Sequence, residues 1–144
     1  MRSCNGWMAA VLSLALLLLC SCSDVSSRLN DENANQMMRE IRKAETTFKN
    51  TRGTGEYGTL AELIDAGLFA QSFADAAAGG HRYEIKTSAG SFEAIAVPLA
   101  RDDNYQFVGW SFYLNETGVI RGTPYGKANN YKSANRDDPP IRYQ

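Results

Sequence analysis

HRYEIKTSAGSFEAIAVP, residues 81–98, decides the fold class. Tyr83, Ile85 and Thr87 alternate with Arg82, Glu84 and Lys86. A period of two marks a strand with one face buried and the other in water. Thr87 to Ser91 turns the chain, and Phe92 to Val97 predicts a second strand that stops at Pro98, where a ladder loses its donor. Strands this close in sequence pair antiparallel.

Moving outward toward the C-terminus, a polar loop holds Asp102, Asp103 and Asn104. Phe107 to Leu114 then predicts a third strand with Trp110, Phe112 and Leu114 on one face. Asn115-Glu116-Thr117-Gly118 is turn chemistry, and Val119 to Arg121 is expected to pair back as a short fourth strand. Residues 123–144 contain Pro124, Pro139 and Pro140 with few aliphatics, and read as an extended or flexible tail.

Outward in the other direction the period lengthens. Thr59 and Glu62 form a T-x-x-E capping box, Gly67 stops the helix they open, and Leu68 is placed to pack back on Leu63. Phe69, Phe73 and the alanines up to Ala78 suggest one more helical turn before Gly79 and Gly80. Upstream, Ala34, Met37, Met38, Ile41, Ala44 and Phe48 recur at helical spacing, with Arg39, Glu40, Arg42, Lys43 and Glu45 expected to face elsewhere. The pattern predicts an amphipathic helix over about 33–50. Helices followed by an antiparallel meander give an α+β domain over 34–122: an N-terminal amphipathic helix and a short capped helix on a three- to four-stranded antiparallel sheet.

Residues 1–21 have the order of a secretory signal: a polar start with Arg2, an apolar run from Trp7 to Leu19, then small residues. That run is shorter than the roughly 20 residues needed to cross a hydrocarbon core. Leu19-Cys20-Ser21-Cys22 resembles the lipobox of bacterial lipoproteins. A small residue must precede the lipidated cysteine, and Ser21 meets this before Cys22, whereas Leu19 violates it before Cys20. The resemblance implies cleavage between Ser21 and Cys22, acyl chains on Cys22 and a permanent membrane attachment, since two or three chains hold where one binds only marginally. Ser23 then stands where an aspartate favours inner-membrane retention, so the outer membrane is the favoured location. Residues 22–33, rich in Ser, Asn and Asp, read as a polar tether. Loss of Cys4 and Cys20 with the leader would leave the folded part without a thiol for disulfide, nucleophile or metal.

Fifteen basic and sixteen acidic residues leave no basic excess for nucleic-acid phosphates. Gly53, Gly55 and Gly58 match G-x-G-x-x-G, but a helix precedes them where a dinucleotide fingerprint requires a strand, so they read as a loop. Gly122, Gly126, Lys127 and Ala128 do not make a P-loop. The single histidine, His81, stands beside Gly80 at a strand start and reads as a surface or turn residue rather than a general base. No HExxH or nucleophile motif occurs, and Glu84 and Glu93, expected to face each other across the hairpin, lie on its solvated side. No catalytic residue is therefore assigned, and no enzyme activity is expected. Asp102, Asp103 and Asn104 offer oxygens suited to Ca²⁺ but lack a recognisable ligand spacing, so no cofactor is assigned. The sequon at Asn115 reads as a hairpin turn.

YGTLAELIDAGLF (57–69) and WSFYLNETGVIRG (110–122) resemble the globular head of type IV pilin-like proteins and of type II secretion pseudopilins, over about residues 32–122. Those proteins continue from a cleaved leader into a phenylalanine and a long apolar helix with glutamate at its fifth position. Here Gly6 is followed by Trp7 to Val11 without a glutamate, and the apolar run ends in a lipobox. The resemblance implies a pilin-like head carried on a lipid anchor rather than a pilus subunit. Its function would be protein–protein interaction in the envelope, with secretion or pilus machinery as a partner, through the sheet edge or the aromatic tail (Tyr125, Tyr131, Tyr143). The alternative is a small-ligand or calcium-binding surface lipoprotein with its site at 101–106.

Overall fold

The computed structural model describes residues 22–71, 80–99 and 108–141, with side chains from residue 28 onward. Helix α1 spans Cys22–Thr51 and helix α2 spans Leu60–Asp65. Strands β1 (His81–Ser88), β2 (Ser91–Pro98), β3 (Gly109–Asn115) and β4 (Arg121–Tyr125) follow, and a 3-10 turn at Lys127–Asn129 leads into the C-terminal segment. All strand pairs are antiparallel, in the order β1-β2-β3-β4. The result is the α+β arrangement that the change of period predicts.

Register decides which side chains meet the helices. Ala94 stands opposite Ile85 and Leu114, and Ala96 opposite Tyr83 and Phe112. These residues share the face on which α1 lies, where Ala34, Met38, Ile41 and Ala44 are buried against them. The two alanines at the middle of β2 let the helix approach closely. Leu63 of α2 and Phe69 complete the cluster. Met38, Ile41, Leu63 and Leu114 are all under 2% exposed, and each contributes roughly 1.5–3 kcal/mol through burial.

Helix α2 ends as its sequence predicts. The Leu68 N–H bonds the Leu63 carbonyl at 2.9 Å and the Gly67 N–H bonds Ile64 at 2.8 Å, a Schellman stop with Gly67 at φ +69°. At the other end both arms of the capping box are present: Thr59 Oγ1 accepts the Glu62 N–H at 3.3 Å, and Glu62 Oε2 accepts the Thr59 N–H at 2.7 Å.

Several expectations are corrected. The tether expected over 22–33 is helix, continuous with α1. Extending a nucleated helix costs little, acids near its N-terminus favour the dipole, and its polar first turns are tied to the sheet through Asp31 and the buried Ala34. The fourth strand is Arg121–Tyr125, with Val119 and Ile120 in the connection before it. Pro124 is tolerated because β4 is an edge strand. Glu84 and Glu93 do not pair: Glu84 stands opposite Ile95 and Glu93 opposite Lys86, because the turn between Ser88 and Ser91 sets the register.

The segment expected to be a loose tail is packed as far as residue 141. It crosses the sheet face opposite α1, where Ser111, Tyr113, Thr123 and Ala134 are buried, and Arg136 meets Glu93 at 2.9 Å. It then turns along the β4 edge. The Gly122 N–H bonds the Pro139 carbonyl, the Ile141 N–H bonds the Ile120 carbonyl, and Arg121 bridges Pro140. Backbone partners and apolar anchors compensate for the segment's low aliphatic content. Among the described residues, no helix is long and apolar enough to cross a membrane.

Candidate functional site

Helix α1 packs chiefly over β3 and β2, so the α1-facing side of β4 is left to the returning C-terminal segment. Beside the core stripe of α1 runs a second one, Glu32, Asn35, Arg39, Arg42 and Thr46, at spacings of three and four that keep it on one face. This stripe looks across a seam toward the β3–β4 connection and the residues Pro140 and Ile141, which border both ends.

The two ends differ in charge. At one, Asp31, Glu32 and Asn35 face Trp110, Phe112 and Ile141 around a hollow of about 420 Å³. At the other, Arg39, Arg42 and Lys43 face Val119, Ile120 and Ile141 around a hollow of about 690 Å³. Arg42 Nη1 donates to the Gly118 carbonyl at 3.4 Å. Gly118 sits at φ +74°, and a Cβ there would run into the Arg42 guanidinium, so glycine serves both the turn and the seating of that cation. Lys43 pairs with Glu40 at 2.9 Å.

Beneath the acidic end lies a buried polar cluster. Asp31 Oδ1 accepts the Trp110 N–H at 2.9 Å, and His81 Nε2 lies 2.9 Å from the Trp110 carbonyl and 3.6 Å from Asp31 Oδ1. Burial raises the Asp31 pKa, opposed by the Trp110 bond and by His81. His81 is 1% exposed, which corrects the surface or turn reading. Its ring reaches from β1 past β2 to the β3 backbone and lies 5.9 Å from the Phe112 ring, so it links strands and contacts no solvent.

Glu45, expected to face away from the core, is fully buried. Its Oε2 accepts the Gly58 N–H at 3.0 Å, and its Oε1 has no hydrogen-bond partner. Burial, with a smaller contribution from the charge of Glu62 and against the Gly58 bond, pushes its pKa up to about 7. Asn35 Oδ1 and the Tyr83 hydroxyl are also buried without a partner, and burial raises the Tyr83 pKa. Sequence reasoning missed Glu45 and Asn35 because it sorted residues by type. Their spacing held a signal, since Glu45 follows Ile41 by four and Met38 by seven.

Of the anchor, metal and aromatic-tail residues singled out from sequence, the described ones are Cys22, Tyr125 and Tyr131. Cys22 opens α1, while Ser21, Asp102, Asp103, Asn104 and Tyr143 lie outside the described residues. Tyr125 and Tyr131 meet edge to face at 5.6 Å. Among the described residues, no group of three or more His, Cys, Asp or Glu side chains could hold a metal ion. Asn115 to Gly118 is the expected turn, closed by the Gly118 N–H on the Asn115 carbonyl at 2.9 Å. Comparison with protein-family models, with curated proteins and with solved structures finds no match.

Proposed function

We propose that the chain is a lipid-anchored protein of the bacterial envelope, held by Cys22 at the outer membrane, whose α+β domain is a non-catalytic protein-interaction module. The pilin-like sequence resemblance points to secretion or pilus machinery as the partner class. The observation that carries the interaction reading is the open seam along α1, where charged side chains of opposite sign at the two ends flank an aliphatic floor. Surfaces that combine apolar contact with charge complementarity suit partner recognition.

Labelled palmitate tests the anchor: the wild-type chain takes up label and Cys22→Ser does not. An unlabelled wild-type chain defeats the anchor. Crosslinking in intact envelopes tests the module, and recovery of no partner defeats it. The acidic hollow favours a second reading, small-ligand binding, because its volume falls within the range of about 300–1,000 Å³ common for ligand pockets. Calorimetry with Ca²⁺ separates the two, since a heat of binding lost in Glu32→Gln, at the rim of that hollow, supports the ligand reading.

A further inference from the structure

We infer that the basic end of the seam docks a peptide segment of the partner in which acidic and aliphatic side chains occur together. This inference rests on the interaction-module reading and assigns it a surface and a partner chemistry.

Three cations, Arg39, Arg42 and Lys43, and no carboxylate line this hollow, on a chain whose formal net charge is −1. The positive charge is thus concentrated locally against the balance of the whole molecule. Arg42 spends its hydrogen bond on the Gly118 carbonyl, and among the described residues no carboxylate bridges it. A guanidinium seated this way keeps donors for an incoming acid, and its fork suits a carboxylate. The Lys43–Glu40 pair is exposed, with side-chain exposures of 69% and 39%, and such pairs are weak enough to exchange for another acid.

The floor explains why acid alone is not the match. Val119, Ile120, Pro140 and Ile141 form it, and Val119 at 38% exposure is one of three large apolar side chains left exposed among the described residues. The Ile141–Ile120 and Arg121–Pro140 backbone pairings fix this floor in advance, which lowers the ordering cost of binding.

The test uses the full-length acylated protein in lipid nanodiscs. A random dodecapeptide library is panned against it, and enriched peptides are measured by fluorescence anisotropy. The expected peptides combine Asp or Glu with Leu, Ile or Val. Their affinity falls about tenfold or more with Arg42→Glu or Val119→Asp, survives in Arg42→Lys, and weakens as salt rises. Circular dichroism confirms that each variant is folded. Enrichment without acids, or unchanged affinity for folded Arg42→Glu, overturns the proposal. A parallel arm measures Cys22→Ser binding to phosphatidylglycerol and phosphatidylcholine vesicles. Arg42-dependent binding to the anionic vesicles alone, with no peptide selected, assigns the hollow to lipid headgroups and also overturns it. Envelope crosslinks that persist unchanged in Arg42→Glu discard this surface but keep the interaction module, whereas absence of any crosslink in wild type removes both.

Discussion

The Ser111 hydroxyl joins the C-terminal segment to the sheet: it accepts the Ala134 N–H at 2.9 Å and donates to the Ala96 carbonyl at 2.9 Å, with Ser111 fully buried. Ser111→Ala removes the acceptor that the buried Ala134 N–H uses. Stranding such a group costs about 1–3 kcal/mol. The urea midpoint is expected to fall accordingly, with faster hydrogen exchange at Ala134 than at strand amides of β2. An unchanged midpoint would show that the segment is held by Arg136 and Ile141 instead.

The part of the fold legible in the sequence is the part written in short-range periodicity and punctuation. Tyr83 and Ile85, the Thr59–Glu62 box and the Gly67 stop each carry a local signal with one physical meaning, and each appears where it was expected. What was illegible depends on partners distant in sequence. Residues 22–33 look like a tether because the contact that ties their polar turns to the sheet, Asp31 with Trp110, joins positions far apart in sequence. The segment after Thr123 has few aliphatics, and its order comes from the Ser111 hydroxyl and the β4 edge. The basic hollow was half legible: Arg39, Arg42 and Lys43 read as a solvated face, but nothing local places Val119 and Ile141 across from them.

Glu45 makes stability fall as the solution becomes less acidic. Its folded-state pKa, raised to about 7 from 4.5, means that the native state holds a proton the unfolded chain releases. The stabilising contribution is complete below the unfolded value and is lost as pH rises through the folded one. Asp31, also raised by burial, acts in the same direction. Glu40, Glu62 and Glu93 act oppositely and at lower pH. Lys43, the Thr59 backbone N–H and the Tyr113 hydroxyl respectively hold these carboxyls below the usual range, so their contribution disappears on acidification. Stability is therefore expected to decline both as pH falls through the lowered carboxyls and as it rises through Glu45. Glu45→Gln keeps an acceptor for Gly58 and removes the charge, so it is expected to raise stability at pH 8 by roughly 1–3 kcal/mol and to change it little at pH 5. Thermal melts at both pH values decide this, and an equal gain at both would show that ionisation of Glu45 is not the cause.

Thr59→Ala tests whether the six-residue α2 depends on its cap. The substitution removes the acceptor for the Glu62 N–H and the hydroxyl that donates to Glu62 Oε2 at 2.8 Å. Loss of a threonine N-cap costs about 1 kcal/mol. Thr59→Ser keeps the hydroxyl and is expected to melt within a few tenths of a kcal/mol of wild type. Equal destabilisation by Ala and Ser would assign the effect to the threonine methyl group rather than to the cap.

Asp31 is the clamp that makes the start of α1 part of the domain. Its Oδ1 takes the Trp110 N–H at 2.9 Å and lies 3.6 Å from His81 Nε2, so one carboxylate ties the helix to β3 and β1. Asp31→Ala leaves the Trp110 N–H without this acceptor and is expected to cost about 1–3 kcal/mol. The loss should be uneven along the helix. Amide exchange is expected to accelerate before Ala34 while Met38 and Ile41, fully buried against the sheet, stay protected. Asp31→Asn can still accept from Trp110 and is uncharged where burial disfavours the charge, so it is expected to retain most of the stability that Ala loses. Uniform acceleration along the whole helix in Asp31→Ala would show that α1 opens as one unit and that its first turns are not separately clamped.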